Sequence, residues 1–253
     1  VQNDLGENVS YAIQDQPMGT GQALLEAKQS LEGVDNIVVL YGDMPLVRPE
    51  TLNKIIQIHI DSQACITLLT AEFENPDGLG RIIRDNSGKV QGIIEDVEAN
   101  EHTLSINEVN GGVYCFKSSW LWDNLNNLTP SKHGEIYLTD LISVAYDQGM
   151  IIDSIQVSNP LEILGINTRK QLLEAENELR RLILDRLMLS GVTLVITFLP
   201  HAIPNCGSEH YSQSPVQMVL LLYPGLLTLY RRQFLPVLSV GCGVRLSLCF
   251  DPL

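Results

Sequence analysis

The stretch "NIVVLYGDMPLV", Asn36 to Val47, decides how the chain is read. Its run from Ile37 to Tyr41 has no polar face and is short, as in a buried strand. Gly42 and Asp43 follow at once, then Met44 and Pro45. Two explanations fit an Asp at that point. It is a common turn residue, here leading into a proline. It also stands where open α/β sheets bind ligands, outside the carboxyl end of a strand. The stretch alone leaves both open.

Working outward, strands alternate with helices. "RPETLNKIIQIHI" predicts a helix with Pro49 and Glu50 in its first turn, and "CITLLTA" (Cys65–Ala71) a second strand. "GRIIRDNSGKVQGIIE" predicts a hairpin turning at Asn86, Ser87 and Gly88. "EVNGGVYCF" (Glu108–Phe116) reads as a strand, "GEIYLTDLISVAYDQG" as a helix stopped by Gly149, and "IIDSIQV" (Ile151–Val157) as a strand. From Thr168 to Ser190 an amphipathic helix is expected, with Leu172, Leu179, Leu182, Ile183 and Leu187 on one face. Thr168 and Gln171 match a capping box, and Gly191 a stop. The alternation predicts an α/β fold with a mostly parallel sheet.

Composition narrows the function. An apolar share of 45% over 253 residues supports a sizeable core. With 30 acids against 16 bases and a net charge of -14, the chain lacks the basic footprint of a nucleic-acid binder. An acidic protein still binds phosphorylated small molecules when Mg²⁺ supplies the positive charge. Five cysteines without a CxxC pair fit a reducing compartment. The start, "VQNDLGENVSYAIQ", shows no signal-peptide pattern. The most apolar stretch, "VQMVLLLYPGLLTLY", is too short for a membrane span and is broken by Pro224 and Gly225. A cytoplasmic protein that keeps away from membranes is expected.

Composition also breaks near residue 195. Beyond it the acids are Glu209 and Asp251, the bases Arg231, Arg232 and Arg245, and Lys is absent. His201, Cys206 and His210 match zinc-ligand spacing only weakly. The chain divides into a domain at 1–167, a long connecting helix at 168–195 and an atypical, irregular tail at 196–253.

Several polar residues stand at places suited to a ligand, and each has an ordinary reading beside it. Gln14 precedes Gly19-Thr20-Gly21 and a helix. Its amide could read a base edge, or Thr20 could simply cap the helix. Asp43 could hold Mg²⁺ or make a turn. Gly80 allows close approach, or opens a hairpin. Glu95 could accept from a sugar hydroxyl, or be solvated. Asn110 precedes two glycines, in a site or a bulge. Asn167 could face a cation, or join the cap at Thr168. His59, on a predicted helix, reads as a surface or interface residue. No nucleophile–His–acid arrangement is evident.

The motifs "QDQPMGTG", "LYGDMPL", "NPDGLGRIIR", "GIIED", "EVNGGVY", "GEIYLTDLI", "GINTRKQL" and "LMLSGVT" occur in that order. Together, over roughly Tyr11 to Val195, they resemble the uridylyltransferase domain of the bacterial bifunctional N-acetylglucosamine-1-phosphate uridylyltransferase/glucosamine-1-phosphate acetyltransferase family. The resemblance implies a doubly wound nucleotide-diphospho-sugar transferase fold. It implies that UTP and N-acetylglucosamine 1-phosphate are joined into UDP-N-acetylglucosamine, a cell-wall precursor, with release of pyrophosphate. Carried over by motif, Gln14, Gly19 and Thr20 would meet the uracil end. Tyr41, Gly42 and Asp43 would line the nucleotide–sugar site, and Gly80, Glu95 and Asn110 would contact the acetylated sugar. Asp43 and Asn167 would hold Mg²⁺. No covalent nucleophile is expected.

The chain also departs from that family. The first strand and Gly-rich phosphate loop have no counterpart, so an unpaired central strand is expected. Lys does not follow Glu95, and Gly111 stands where Thr is more usual. After Val195 the six-residue repeat of the family's left-handed β-helix does not begin, which puts its trimeric assembly in doubt here. The alternatives are a catalytically silent fragment that binds sugar nucleotide or a partner chain, and a transferase for another sugar phosphate.

Overall fold

A computed structural model describes residues 9–191 and three further strands at 217–223, 237–241 and 244–249. The Zn-like spacing of His201, Cys206 and His210 lies outside these residues. The strand expected from the opening stretch is β1 (Asn36–Tyr41). Its residues alternate between two cores. Ile37 and Val39 join Leu24, Phe116, Leu121 and Ile142, whereas Val38 and Leu40 join Ile55, Ile56, Val113 and Ile155. A strand apolar on both faces is covered on both, and helices supply the cover. On one side lie α1 (Thr20–Glu26), with α4 (Ser118–Leu125) and α5 (Asp140–Asp147) further along the chain. On the other lies α2 (Pro49–Asp61), which contributes Ile55 and Ile56. Phe116 is fully buried, so its truncation to Ala is expected to remove about 3–5 kcal/mol.

The remaining strands are β2 (Ile66–Glu72), β3 (Arg81–Arg84), β4 (Val90–Ile94), β5 (Glu108–Lys117) and β6 (Ile152–Gln156). A four-residue helix, α3 (Glu101–Leu104), precedes β5. The α/β class holds, but the sheet is mixed rather than mostly parallel. Among the described strands the parallel ladder is β2 with β6. β1 pairs antiparallel with β5, and β5 pairs antiparallel with β2 and β3. The reason is topological. β1, α2 and β2 form a parallel crossover, but β5 returns after the β3–β4 hairpin and inserts between β1 and β2. Alternation in sequence settles neither the direction nor the neighbours of a strand that enters the sheet after a hairpin.

The other edge of β1 is not bare. β7 (Gln217–Tyr223) pairs with it antiparallel, from Asn36 opposite Tyr223 to Tyr41 opposite Met218. β8 (Val237–Gly241) and β9 (Val244–Cys249) extend the sheet. Two expectations are thereby corrected: the tail is not wholly irregular, and the central strand is paired. The unmet N–H and C=O groups along β1 are satisfied by another extended segment of the same chain.

A third correction concerns "GEIYLTDLISVAYDQG". Helix begins only at Asp140. Ile136 instead donates its N–H to Met18 O and accepts from Gly21 N, both at 2.8 Å. Those long-range bonds hold the first half extended against the start of α1. His59 is likewise not at the surface. It is buried, with Nδ1 at 2.9 Å from Thr67 Oγ1 and Nε2 at 3.2 Å from Asn36 Oδ1. It therefore ties α2 to both strands of the crossover.

The long helix α6 (Arg169–Leu189) is capped as expected: Thr168 Oγ1 accepts from Gln171 N at 3.2 Å. Gln171 Oε1 accepts from the backbone of Asn167 at 2.9 Å. Glu178 docks the helix, taking Asn159 Nδ2 at 3.1 Å and two guanidinium N–H groups of Arg181. Leu172, Leu179, Ile183 and Leu187, four members of the predicted apolar face, stay exposed. Among the described residues no helix is long and apolar enough to cross a membrane.

Candidate active site

At the carboxyl end of β1 lies a cavity of about 290 Å³. Chain segments far apart in sequence wall it. The start of α1 supplies Gly19 and Thr20, the end of β1 Tyr41 and Asp43, the loop before β3 Gly80, the end of β4 Glu95, β5 Asn110, and the loop before α6 Asn167. These sequence-predicted residues come together. Two do not line the cavity. Gly42 is exposed in the turn beside Asp43. Gln14 is buried under the loop, where Nε2 donates to Gly19 O at 3.3 Å and to Gln22 Oε1. It supports the loop backbone from below.

Local chemistry explains why these residues reach one place. Gly19 has φ +103, and a Cβ there would lie 2.5 Å from Ile136 O. Only glycine lets the 18–21 backbone pair so closely with residue 136. Thr20 Oγ1 accepts from Leu138 N at 3.0 Å, which closes the same joint. Glu95 accepts from Thr139 Oγ1 at 2.8 Å and so is aimed by the segment before α5. Burial raises its pKa, the Thr139 bond opposes that, and neighbouring Asp140 and Glu98 add to the rise. Asn110 N donates to Gly80 O at 2.8 Å, joining β5 to the glycine loop.

The sequence reading missed Met44, Leu79, Glu135, Tyr137, Ile163 and Gly165, which also line the cavity. Glu135 and Tyr137 were assigned to a helix. Once that segment is extended, both face the site. The signal available was Gly134, whose φ of +81 marks a break ahead of them.

Among the described residues the lining carries three carboxylates, Asp43, Glu95 and Glu135, and no Lys, Arg or His. Burial raises the pKa of Asp43, and its own backbone N–H is the group that opposes the rise. Among the described lining residues no cationic side chain faces that carboxylate. Asn167 lies beside it: a Cβ on Gly165 would sit 3.0 Å from Asp43 Oδ2 and 3.7 Å from Asn167 Nδ2. Ile166 N donates to Asp43 O at 3.0 Å and holds the two loops together. One carboxylate and one neutral amide suit a hard dication that keeps its other positions for water and phosphate oxygens. Among the described residues no group of three or more His, Cys, Asp or Glu could hold a metal by itself.

A three-layer α/β fold with such a site at the strand ends defines a class. The chain belongs to the nucleotidyl transferase family, which its residues 2–157 match. Among curated proteins it is similar to the bifunctional protein GlmU of Desulfitobacterium hafniense, with 41% identity over 196 residues, 77% of this chain and 43% of that protein. The GlmU protein of Clostridium novyi is 44% identical over 190 residues, 74% of this chain and 41% of that one. That of Clostridioides difficile is 36% identical over 230 residues, 90% of this chain and 48% of that one. The chain thus spans somewhat under half the length of these relatives.

Proposed function

We propose that this chain carries a uridylyl-transfer site that joins UTP and N-acetylglucosamine 1-phosphate into UDP-N-acetylglucosamine, a step in making cell-wall precursor in the cytoplasm. The observation that supports the reading is the cavity itself, whose described walls hold eight of the ten motif residues of the resemblance around an acidic centre. Gly19 and Thr20 would form the nucleotide end. Gly80, Glu95 and Asn110 would take the acetylated sugar, with Glu95 accepting from a hydroxyl. Asp43 and Asn167 would hold Mg²⁺, which would supply positive charge to the phosphates. A phosphate oxygen of the sugar would attack the α-phosphorus of UTP. The bond to the β-phosphate oxygen would break, and pyrophosphate would leave with that electron pair. The side chains contribute by fixing the sugar phosphate in line with that bond and by excluding water.

One observation favours a second reading, a site that binds the product without turning over. Among the described residues the cavity walls offer no Lys or Arg to a triphosphate. Pyrophosphate release from UTP, N-acetylglucosamine 1-phosphate and Mg²⁺, measured beside Asp43→Ala, separates the two. Release that vanishes in Asp43→Ala supports transfer. Folded protein that binds UDP-N-acetylglucosamine and releases nothing supports binding alone.

A further inference from the structure

We propose that Tyr114, buried beneath the cavity, is a positioning residue that fixes the amide of Asn110 toward the sugar. This rests on the reading of Asn110 as a sugar contact. Asn110 Nδ2 donates to the Tyr114 hydroxyl at 2.6 Å, and Gly112 N donates to Asn110 Oδ1 at 3.2 Å. A backbone N–H can only donate, so the oxygen end of the amide is assigned and the nitrogen end must face Tyr114. The Tyr114 oxygen therefore accepts, and its own proton is left to turn toward Tyr41, whose ring meets it edge-on with centroids 6.2 Å apart. Tyr114 cannot drift. It is fully buried and stacks on Phe116 at 5.6 Å.

The consequence is chemical. An Asn amide has two N–H donors and two carbonyl lone pairs. With one of each engaged inside the protein, one donor and one acceptor remain for the cavity, in a set order. That pair matches a ligand presenting an acceptor beside a donor, as an acetamido group or neighbouring hydroxyls do. Without the Tyr114 hydroxyl the longer Gly112 bond alone orients the amide, and its flipped form becomes accessible.

Calorimetric titration with UDP-N-acetylglucosamine and with UDP tests this in the full chain, in Tyr114→Phe, in Asn110→Ala and in the double variant. Tyr114→Phe should weaken the sugar nucleotide roughly five-fold, the size of one hydrogen bond, and leave UDP unchanged. In the Asn110→Ala background the same change should have no further effect. Equal affinity in Tyr114→Phe and the parent, or the same loss in both backgrounds, overturns the proposal. A parent chain that binds UDP but not the sugar nucleotide overturns the sugar assignment first, and the proposal with it. A measurement on the unaltered chain stands independently of how the variants fold. The side-chain amide protons of Asn110 should give two separate NMR signals, one slow to exchange, and rapid exchange of both counts against a fixed amide.

Discussion

Lowering the pH should unlock the crossover that carries Asp43, and His59 is the group that sets the window. Its ring lies between Asn36 of β1 and Thr67 of β2, and burial lowers its pKa from 6.5 to about 4. A pKa depressed in the folded state means that the unfolded chain binds the proton first as pH falls. His59 therefore contributes full stability above pH 6.5. That contribution declines between 6.5 and about 4 and levels off below. At about 1.4 kcal/mol per unit, the loss is about 2 kcal/mol at pH 5 and about 3 kcal/mol at pH 4. Against a typical total of about 5–15 kcal/mol, that is a large share. Urea unfolding of the parent and of His59→Gln across this range isolates it, because other titrating groups largely cancel in the difference. The variant should be less stable at pH 7, and the gap should close by about 2 kcal/mol at pH 5. A gap that stays constant from pH 7 to pH 4 would refute the reasoning.

Three other perturbations test the site. Gly19→Ala forces a side chain into a left-handed position and against Ile136 O, so it should lower stability by about 2 kcal/mol or more in a thermal melt and weaken nucleotide binding. Asp43→Asn removes a buried charge whose pKa is raised. The ionised form weakens the parent as pH rises through that pKa, so the variant should melt higher at neutral pH and lose this advantage in acid. Added Mn²⁺ should raise the melting temperature of the parent and not of Asp43→Asn. Glu95 also has a raised pKa, so binding of the sugar nucleotide should fall, as pH is lowered, above the range of an ordinary Glu. Glu95→Gln should flatten that profile, and an unchanged profile would remove Glu95 from the site.

Local chemistry in the sequence determined much of this protein. The two-sided apolar run of β1, the proline at the start of α2, the turn of the β3–β4 hairpin and the Thr168–Gln171 cap all act over a few residues. Each was legible because period and capping are short-range properties. Asp43, Glu95, Asn110 and Asn167 were singled out by their positions at strand ends and loops, and the order of the motifs around them, which resembles a known family, favoured the ligand reading over the ordinary one. Tertiary structure decided what depends on distant partners. β5 inserts between strands that alternation would have made neighbours. Ile136 pairs with residues 18 and 21 and stays extended, which turns Glu135 and Tyr137 into the cavity. Gln14, which the resemblance implied as a contact, is buried by the loop it supports, and His59, read as a surface or interface residue, is enclosed between two strands. The edge of β1 is filled by 217–223, a segment whose composition gave no sign of that role. In each case a hydrogen bond or a packed face between remote residues outweighs a local preference, and no window along the chain contains both halves of such a contact.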